Sequence, residues 1–138
     1  MTQETAPSGA RQMAGKLLRY GAMLFGTAVI VQFYLAGSGI FAAKGPVGDA
    51  SSLDPHRVLG NILAVLALLL LITMIIARPA RRVMITVIVL FVLTAVEGLI
   101  AGTGDSAPYF AALHPVIAAV ILGLTALIPI WVPRSGAE

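Results

Sequence analysis

The chain has 138 residues, of which 59% are apolar and only 11% are charged. An ordinary soluble protein is about 45–50% apolar, and a water-soluble domain with this composition would lack the polar side chains needed to cover its surface. The composition therefore excludes most soluble folds. The chain has no cysteine. This absence excludes disulfides, thiolate zinc sites, iron–sulfur clusters and covalently attached c-type haem.

Four apolar stretches are each long enough to cross a hydrocarbon layer, which needs about 20 predominantly apolar residues. In chain order they predict helices over residues 17–41, 56–77, 83–101 and 114–132. The polar composition of residues 1–16 predicts a disordered cytoplasmic tail, and residues 134–138 form a second short tail. Since the chain lacks alternating ten-residue strands, we expect an all-α integral membrane protein, an antiparallel four-helix bundle forming one domain over residues 17–133.

The distribution of charge predicts the orientation of this bundle. If the helices alternate, seven of the nine basic residues fall on one side: Arg11, Lys16, Arg19, Arg78, Arg81, Arg82 and Arg134. The positive-inside rule then places both termini in the cytoplasm. The expected location is the inner or plasma membrane of the cell. The net charge of +3 thus reflects membrane topology, and nucleic acid is not an expected partner.

One polar residue lies near the outer end of each predicted helix. In chain order these residues are Gln32, His56, Glu97 and His114. In an alternating bundle the second and fourth helices are diagonal partners, about 13–14 Å apart between axes. The imidazoles of His56 and His114 are therefore expected to face each other across the bundle, a span that suits a haem held between two histidines.

The surrounding residues fit this interpretation. Arg57 is expected at the aqueous rim, where a guanidinium pairs well with a haem propionate. Space for a flat macrocycle is predicted beside a set of small residues: Gly60, Gly98, Gly102, Ala118 and Ala119. The leading hypothesis is one haem b on His56 and His114, with Gln32 and Glu97 beside it, for electron transfer with quinol or a redox protein, or for haem handling.

Other interpretations stay open at this stage. Histidines near a membrane interface often only bond to loops or headgroups, so the chain is alternatively a non-enzymatic scaffold subunit whose polar layer sets helix register. A divalent metal on His56, His114 and Glu97 is chemically sufficient, and an acidic residue inside an apolar span also suits a proton site. No phosphate-binding loop, nucleophile elbow or H-E-x-x-H motif is present, so a stand-alone enzyme is not expected. A homodimer through Gly and Ala faces is plausible.

The two halves of the chain share a pattern. Gln32-x-x-x-Ala36-Gly37 corresponds to Glu97-x-x-x-Ala101-Gly102, and each is followed by a histidine next to a proline that opens a helix. This pattern favours a duplicated helical hairpin, with its two copies related by an axis along the membrane normal.

Three segments carry a resemblance to a known family: Gln32-x-x-x-Ala36-Gly37, Asp54-Pro55-His56-Arg57-x-x-Gly60 and Leu113-His114-Pro115. They resemble small, uncharacterised four-span bacterial membrane proteins, over nearly the whole chain from Leu17 to Trp131. The resemblance implies a topology and no activity. More distantly, the arrangement is similar to the four-helix units of b-type cytochromes and haem A synthase. Those synthases place a Glu four residues before a His, which Glu97 does not satisfy, so that activity is not expected.

Overall fold

The computed structural model describes residues 9–42, 50–104 and 106–132 of the chain. Long helices dominate this part, joined by short turns. In chain order the elements are α1 (Gly9–Ala42), a 3₁₀ turn (Ala50–Leu53), α2 (Asp54–Ala77), α3 (Arg81–Ala101), α4 (Pro108–Ala111) and α5 (His114–Trp131).

Four segments are long and apolar enough to cross a membrane: α1, α2 with part of the 3₁₀ turn, α3, and α4 together with α5. Large aliphatic side chains stand exposed on the outside of the bundle, such as Ile30, Val58, Ile75 and Val116. Such a surface is stable only against lipid. The predicted fold class, an all-α four-helix membrane protein, is confirmed.

The helices pack in the predicted cyclic order. α1 contacts α2 and α5, and α3 also contacts α2 and α5. The short turn over residues 78–80 forces α2 and α3 to run antiparallel as neighbours. Consequently α2 and α5 lie across the bundle from each other, and the two histidines at their first turns approach the same axis.

The buried core fills the half of the bundle that is distant from the histidines. Its largest fully buried side chains include Leu18, Phe25, Leu90, Ile121 and Ile128. Arg19 closes this end, because its Nη1 donates hydrogen bonds to the carbonyl oxygens of Pro129 and Val132. These carbonyls belong to the last turn of α5, where no further helical N–H is available to them.

Three boundaries differ from the predicted ones. α1 begins at Gly9, so the predicted disordered tail is wrong for residues 9–16, whereas residues 1–8 and 134–138 lie outside the described residues. Ala14 in this segment is buried, and its packing extends the helix toward the N-terminus. α2 and α3 begin at Asp54 and Arg81, each two residues before the predicted start, which is the ordinary uncertainty of helix ends. α5 begins at His114, as predicted. The single turn α4 was not predicted.

Candidate functional site

A cavity of about 700 Å³ opens at the end of the bundle where α2 and α5 begin. All five residues predicted for the site line it: Gln32, His56, Arg57, Glu97 and His114. The four long helices thus each contribute to one polar layer, as the sequence indicated. We call this space the histidine cavity.

The two imidazoles meet inside the histidine cavity. The ring centres of His56 and His114 lie 5.9 Å apart, and the ring planes are inclined at 81° to each other. Both side chains are half-buried. The diagonal placement of α2 and α5 is what brings them together from positions 58 residues apart in the chain.

His56 is oriented by the backbone of α1. Its Nδ1 lies 3.2 Å from the carbonyl oxygen of Gln32. A carbonyl oxygen only accepts hydrogen bonds, so Nδ1 carries a hydrogen, and in the neutral imidazole the lone pair is then on Nε2. Within the described ranges no hydrogen-bond partner is found for this Nε2.

His114 is oriented by a side chain of α3. Its Nδ1 lies 3.3 Å from Oε1 of Glu97, and the two side chains are 29% and 15% exposed. The contact is close but not aligned as a hydrogen bond, since the buried Nδ1 has no hydrogen-bond partner among the residues described. As in His56, the ring nitrogen that points away from the acceptor is Nε2.

Small residues give the histidine cavity its width. Gly60, Gly98, Gly102 and Ala118 line it as predicted, whereas Ala119 is exposed and is not part of the lining. A Cβ atom added to Gly98 would meet no heavy atom within 4 Å. The space beside α3 is therefore open enough to accept part of a ligand.

Arg57 lies at the mouth of the cavity. Its Nη1 is 3.1 Å from Oδ1 of Asp54, one turn earlier in α2, and the two side chains are 55% and 63% exposed. An ion pair this exposed contributes little to stability. An anionic group of a ligand could therefore replace the contact with Asp54.

Two polar residues of the cavity were not singled out from the sequence. Asn61 and Thr94 both contribute to its lining. Asn61 lies five residues after His56 in an otherwise apolar span, and a polar residue in such a span is the signal that would have found it. In addition, Oε1 of Gln32 is buried and has no hydrogen-bond partner within the described part of the chain, so the cavity holds an unused acceptor.

The three candidate metal ligands are not arranged as a three-residue metal site. Among residues 9–42, 50–104 and 106–132, no group of three His, Cys, Asp or Glu side chains is placed to hold a metal ion. Glu97 contacts the Nδ1 side of His114. This contact suits a carboxylate that orients the ring better than one that shares an ion with it.

The fold and the site define a multi-pass membrane protein whose four-helix bundle holds a pair of histidines in a cavity at one end. A family of unknown function (DUF6220) matches residues 32–104, which are 73 of the 138 residues, and the chain belongs to this family. The match includes His56 and Glu97 and ends before His114. No curated protein and no solved structure matches the chain. The predicted membership in an uncharacterised membrane-protein family is thus confirmed, whereas none of the comparisons supports the more distant likeness to b-type cytochromes and haem A synthase.

Proposed function

We propose that the protein binds one haem b in the histidine cavity, where His56 and His114 would hold the iron. The observation that carries this proposal is the placement of the two rings: Nδ1 of His56 lies 3.2 Å from the Gln32 carbonyl oxygen in a hydrogen bond, and Nδ1 of His114 lies 3.3 Å from the Glu97 carboxylate. Histidines that bind a metal almost always direct their other ring nitrogen at a carboxylate or a backbone carbonyl. Both Nε2 atoms are then the ligating atoms.

The separation of the rings supports this assignment. Two nitrogens that are each about 2 Å from one iron lie about 4 Å apart. Ring centres at 5.9 Å allow this separation after modest side-chain rotation. The inclination of 81° is no obstacle, because each imidazole plane must contain only its own iron–nitrogen direction.

The volume and lining of the cavity support a large, flat, mostly apolar ligand. A cavity of about 700 Å³ lies within the range of roughly 300–1,000 Å³ found for cofactor sites. Phe25, Val29 and Ile121 line its deep part, where the apolar edge of a macrocycle would lie. Arg57 at the mouth is placed to pair with a propionate.

Haem iron held by two imidazoles supplies one-electron exchange. In this arrangement His56 and His114 hold the iron, the Gln32 carbonyl and the Glu97 carboxylate fix the ring orientations, and the aliphatic lining excludes water. A haem bound in this cavity would supply one-electron exchange only on that side of the membrane. The proposal therefore includes quinol or a redox protein as partner. It also places the protein in the inner or plasma membrane, with both termini in the cytoplasm.

A visible spectrum tests the proposal. The full chain, purified in detergent from haem-sufficient cells, should show a Soret band that corresponds to one haem per chain. His56→Ala and His114→Ala should each weaken the band, and the double variant should lose it. The matched control is Asn61→Ala, which changes a polar cavity residue that is not a ligand and should keep the band.

A second measurement separates loss of a ligand from loss of the fold. His56→Gly should recover the Soret band when imidazole is added, because free imidazole can occupy the vacated position. Helix content by circular dichroism should be equal in all variants. Absence of any Soret band in the wild-type protein, or a band unchanged in the double variant, would refute haem binding and favour the scaffold alternative.

A further inference from the structure

A second groove lies between α2 and α3, at the end of the bundle opposite to the histidine cavity. It has a volume of about 550 Å³ and is lined by Leu71, Met74, Ile75, Arg78, Met84 and Ile88. Five of the six lining residues are apolar, and the sixth is an arginine at the helix end. We call it the arginine groove. Ile75 and Ile88 on its sides are also exposed on the outer surface of the bundle, so the groove opens toward lipid.

Arg78 has an unusual backbone conformation. It is the only residue other than glycine with a positive φ in the described part of the chain, at φ 48° and ψ 56°. Its N–H caps α2 by donating to the carbonyl oxygen of Met74 at 2.9 Å. A glycine usually occupies this position, because a Cβ atom there comes too close to the following carbonyl oxygen. Glycine at this position would avoid this unfavourable contact, so the turn itself does not require an arginine.

The charge around the arginine groove is unbalanced. Arg81 and Arg82 follow Arg78 after two intervening residues, while the two acidic residues of the described segments, Asp54 and Glu97, lie at the histidine end. The guanidinium of Arg82 lies 5.3 Å from the ring centre of Trp131. For Arg78 and Arg81, no side-chain hydrogen bond or ion pair is found among the residues that the structure describes. Among the described residues, the mouth of the groove therefore carries the positive charge of Arg78 with no acidic side chain paired to it.

We propose that the arginine groove binds an anionic glycerophospholipid, with one acyl chain along the apolar lining and the phosphate on Arg78, supported by Arg81. The location fits this ligand, because basic pockets between membrane helices bind anionic headgroups. The guanidinium group also matches the geometry of phosphate oxygens. This proposal is independent of haem binding.

Native mass spectrometry of the full chain in detergent tests the proposal. The probes are dioleoyl phosphatidylglycerol and dioleoyl phosphatidylcholine, which share their acyl chains and differ in headgroup charge. One basic residue near the headgroup contributes about 1 kcal/mol, which corresponds to about a fivefold preference for the anionic lipid. We expect the wild-type protein to show at least this preference.

Three variants separate the headgroup, the acyl chain and the fold. Arg78→Gly removes the guanidinium while favouring the left-handed turn, so it should raise the thermal midpoint and reduce the lipid preference to nearly none. Arg11→Gln changes another exposed arginine at the same end of the bundle and should leave the preference unchanged. Met84→Trp fills the groove and should reduce binding of both lipids.

Three results would each contradict lipid binding in the arginine groove. An equal lipid preference in the wild-type and Arg78→Gly proteins would overturn the assignment of the phosphate to Arg78. Added glycerol phosphate should not compete at concentrations equal to the lipid; if it does compete, the site binds free phosphate and no acyl chain. If Met84→Trp dissociates a dimer without changing lipid binding, the groove is an interface between two copies and the proposal is wrong.

Discussion

His114 and Glu97 meet at 3.3 Å, between Nδ1 of the imidazole and Oε1 of the carboxylate, although a whole loop separates them in the chain. His56 and Gln32 make the corresponding contact in the first hairpin, where the oxygen is the backbone carbonyl of Gln32. The same two positions of each hairpin are thus paired, while the duplication of the hairpin stays a prediction. The two acceptors differ, because the Glu97 carboxylate belongs to a side chain and the Gln32 carbonyl belongs to the backbone. Mutation can therefore remove only the carboxylate.

The difference between the two acceptors gives the first prediction. Glu97→Ala leaves the imidazole of His114 without its oxygen partner, and haem affinity should decrease by about 10- to 100-fold, as for other lost partners of metal-binding histidines. Glu97→Gln keeps an acceptor oxygen and should cause a smaller loss. Gln32→Ala is the control, because it preserves the carbonyl that orients His56. Titration of haem followed by absorbance measures all three, and equal affinity of Glu97→Ala and wild type would contradict the orienting role.

Substitutions at Gly98 test whether a ligand occupies the space in the histidine cavity. Its Cβ position is free of neighbours within 4 Å, so Gly98→Ala should stabilise α3 by about 0.5–1 kcal/mol through the lower backbone entropy of alanine. Gly98→Phe should fill the cavity and reduce haem binding strongly while the helix content is kept. Haem titration together with the thermal midpoint measures both effects. Full haem binding by Gly98→Phe would show that the ligand does not occupy this side of the cavity.

Gly39→Ala is expected to lower the stability of the fold, which is the opposite of the effect expected for Gly98→Ala. A Cβ there would lie 2.6 Å from Cδ2 of Leu53 and 2.7 Å from the backbone oxygen of Ser52. The backbone cannot move aside cheaply, so Gly39→Ala should lower stability by about 1–3 kcal/mol. Gly37→Ala, two residues earlier with nothing within 4 Å, is the matched control and should be neutral or stabilising. A thermal midpoint that is equal for both variants would disprove the close approach of the 3₁₀ turn to α1.

Arg19 should contribute more to the stability of the fold than Lys16, which lies on the same helix. Its guanidinium donates to the carbonyl oxygens of Pro129 and Val132, and hydrogen bonds from a charged group contribute about 1.5–3 kcal/mol. Arg19→Gln should therefore lower the thermal midpoint in detergent. Lys16→Gln removes a positive charge from an exposed position on the same helix and should have little effect. If both variants unfold at the same temperature, Arg19 does not hold α1 to α5.

Membrane orientation is testable because the chain has no native cysteine. Ala80 and Ser106 are exposed at opposite ends of the bundle, and single cysteines at these positions should keep the fold. A membrane-impermeant maleimide should label Ser106→Cys in intact cells and Ala80→Cys only after lysis. The reverse pattern would place the histidine cavity on the cytoplasmic side and contradict the orientation predicted from charge.

The positions of the long helices could be predicted from the sequence because lipid requires each span to satisfy its own backbone hydrogen bonds and to expose apolar side chains. The first turns of α1 could not be predicted in this way. Residues 9–16 have a polar composition typical of a tail, and only the packing of Ala14 in the bundle shows why they are helical. The site could be predicted in part: the polar layer of His56 and His114 followed from helix alternation, whereas the contribution of Asn61 was missed.

The sequence by itself determined that this protein spans a membrane four times and that its basic residues gather at one end, because hydropathy and charge act segment by segment. Only the tertiary structure decided that two imidazoles approach within 5.9 Å, that Glu97 contacts His114, and that a groove ends at Arg78. Those relationships depend on how each helix is rotated about its own axis. That rotation is set by side-chain packing across the bundle, which no single segment contains.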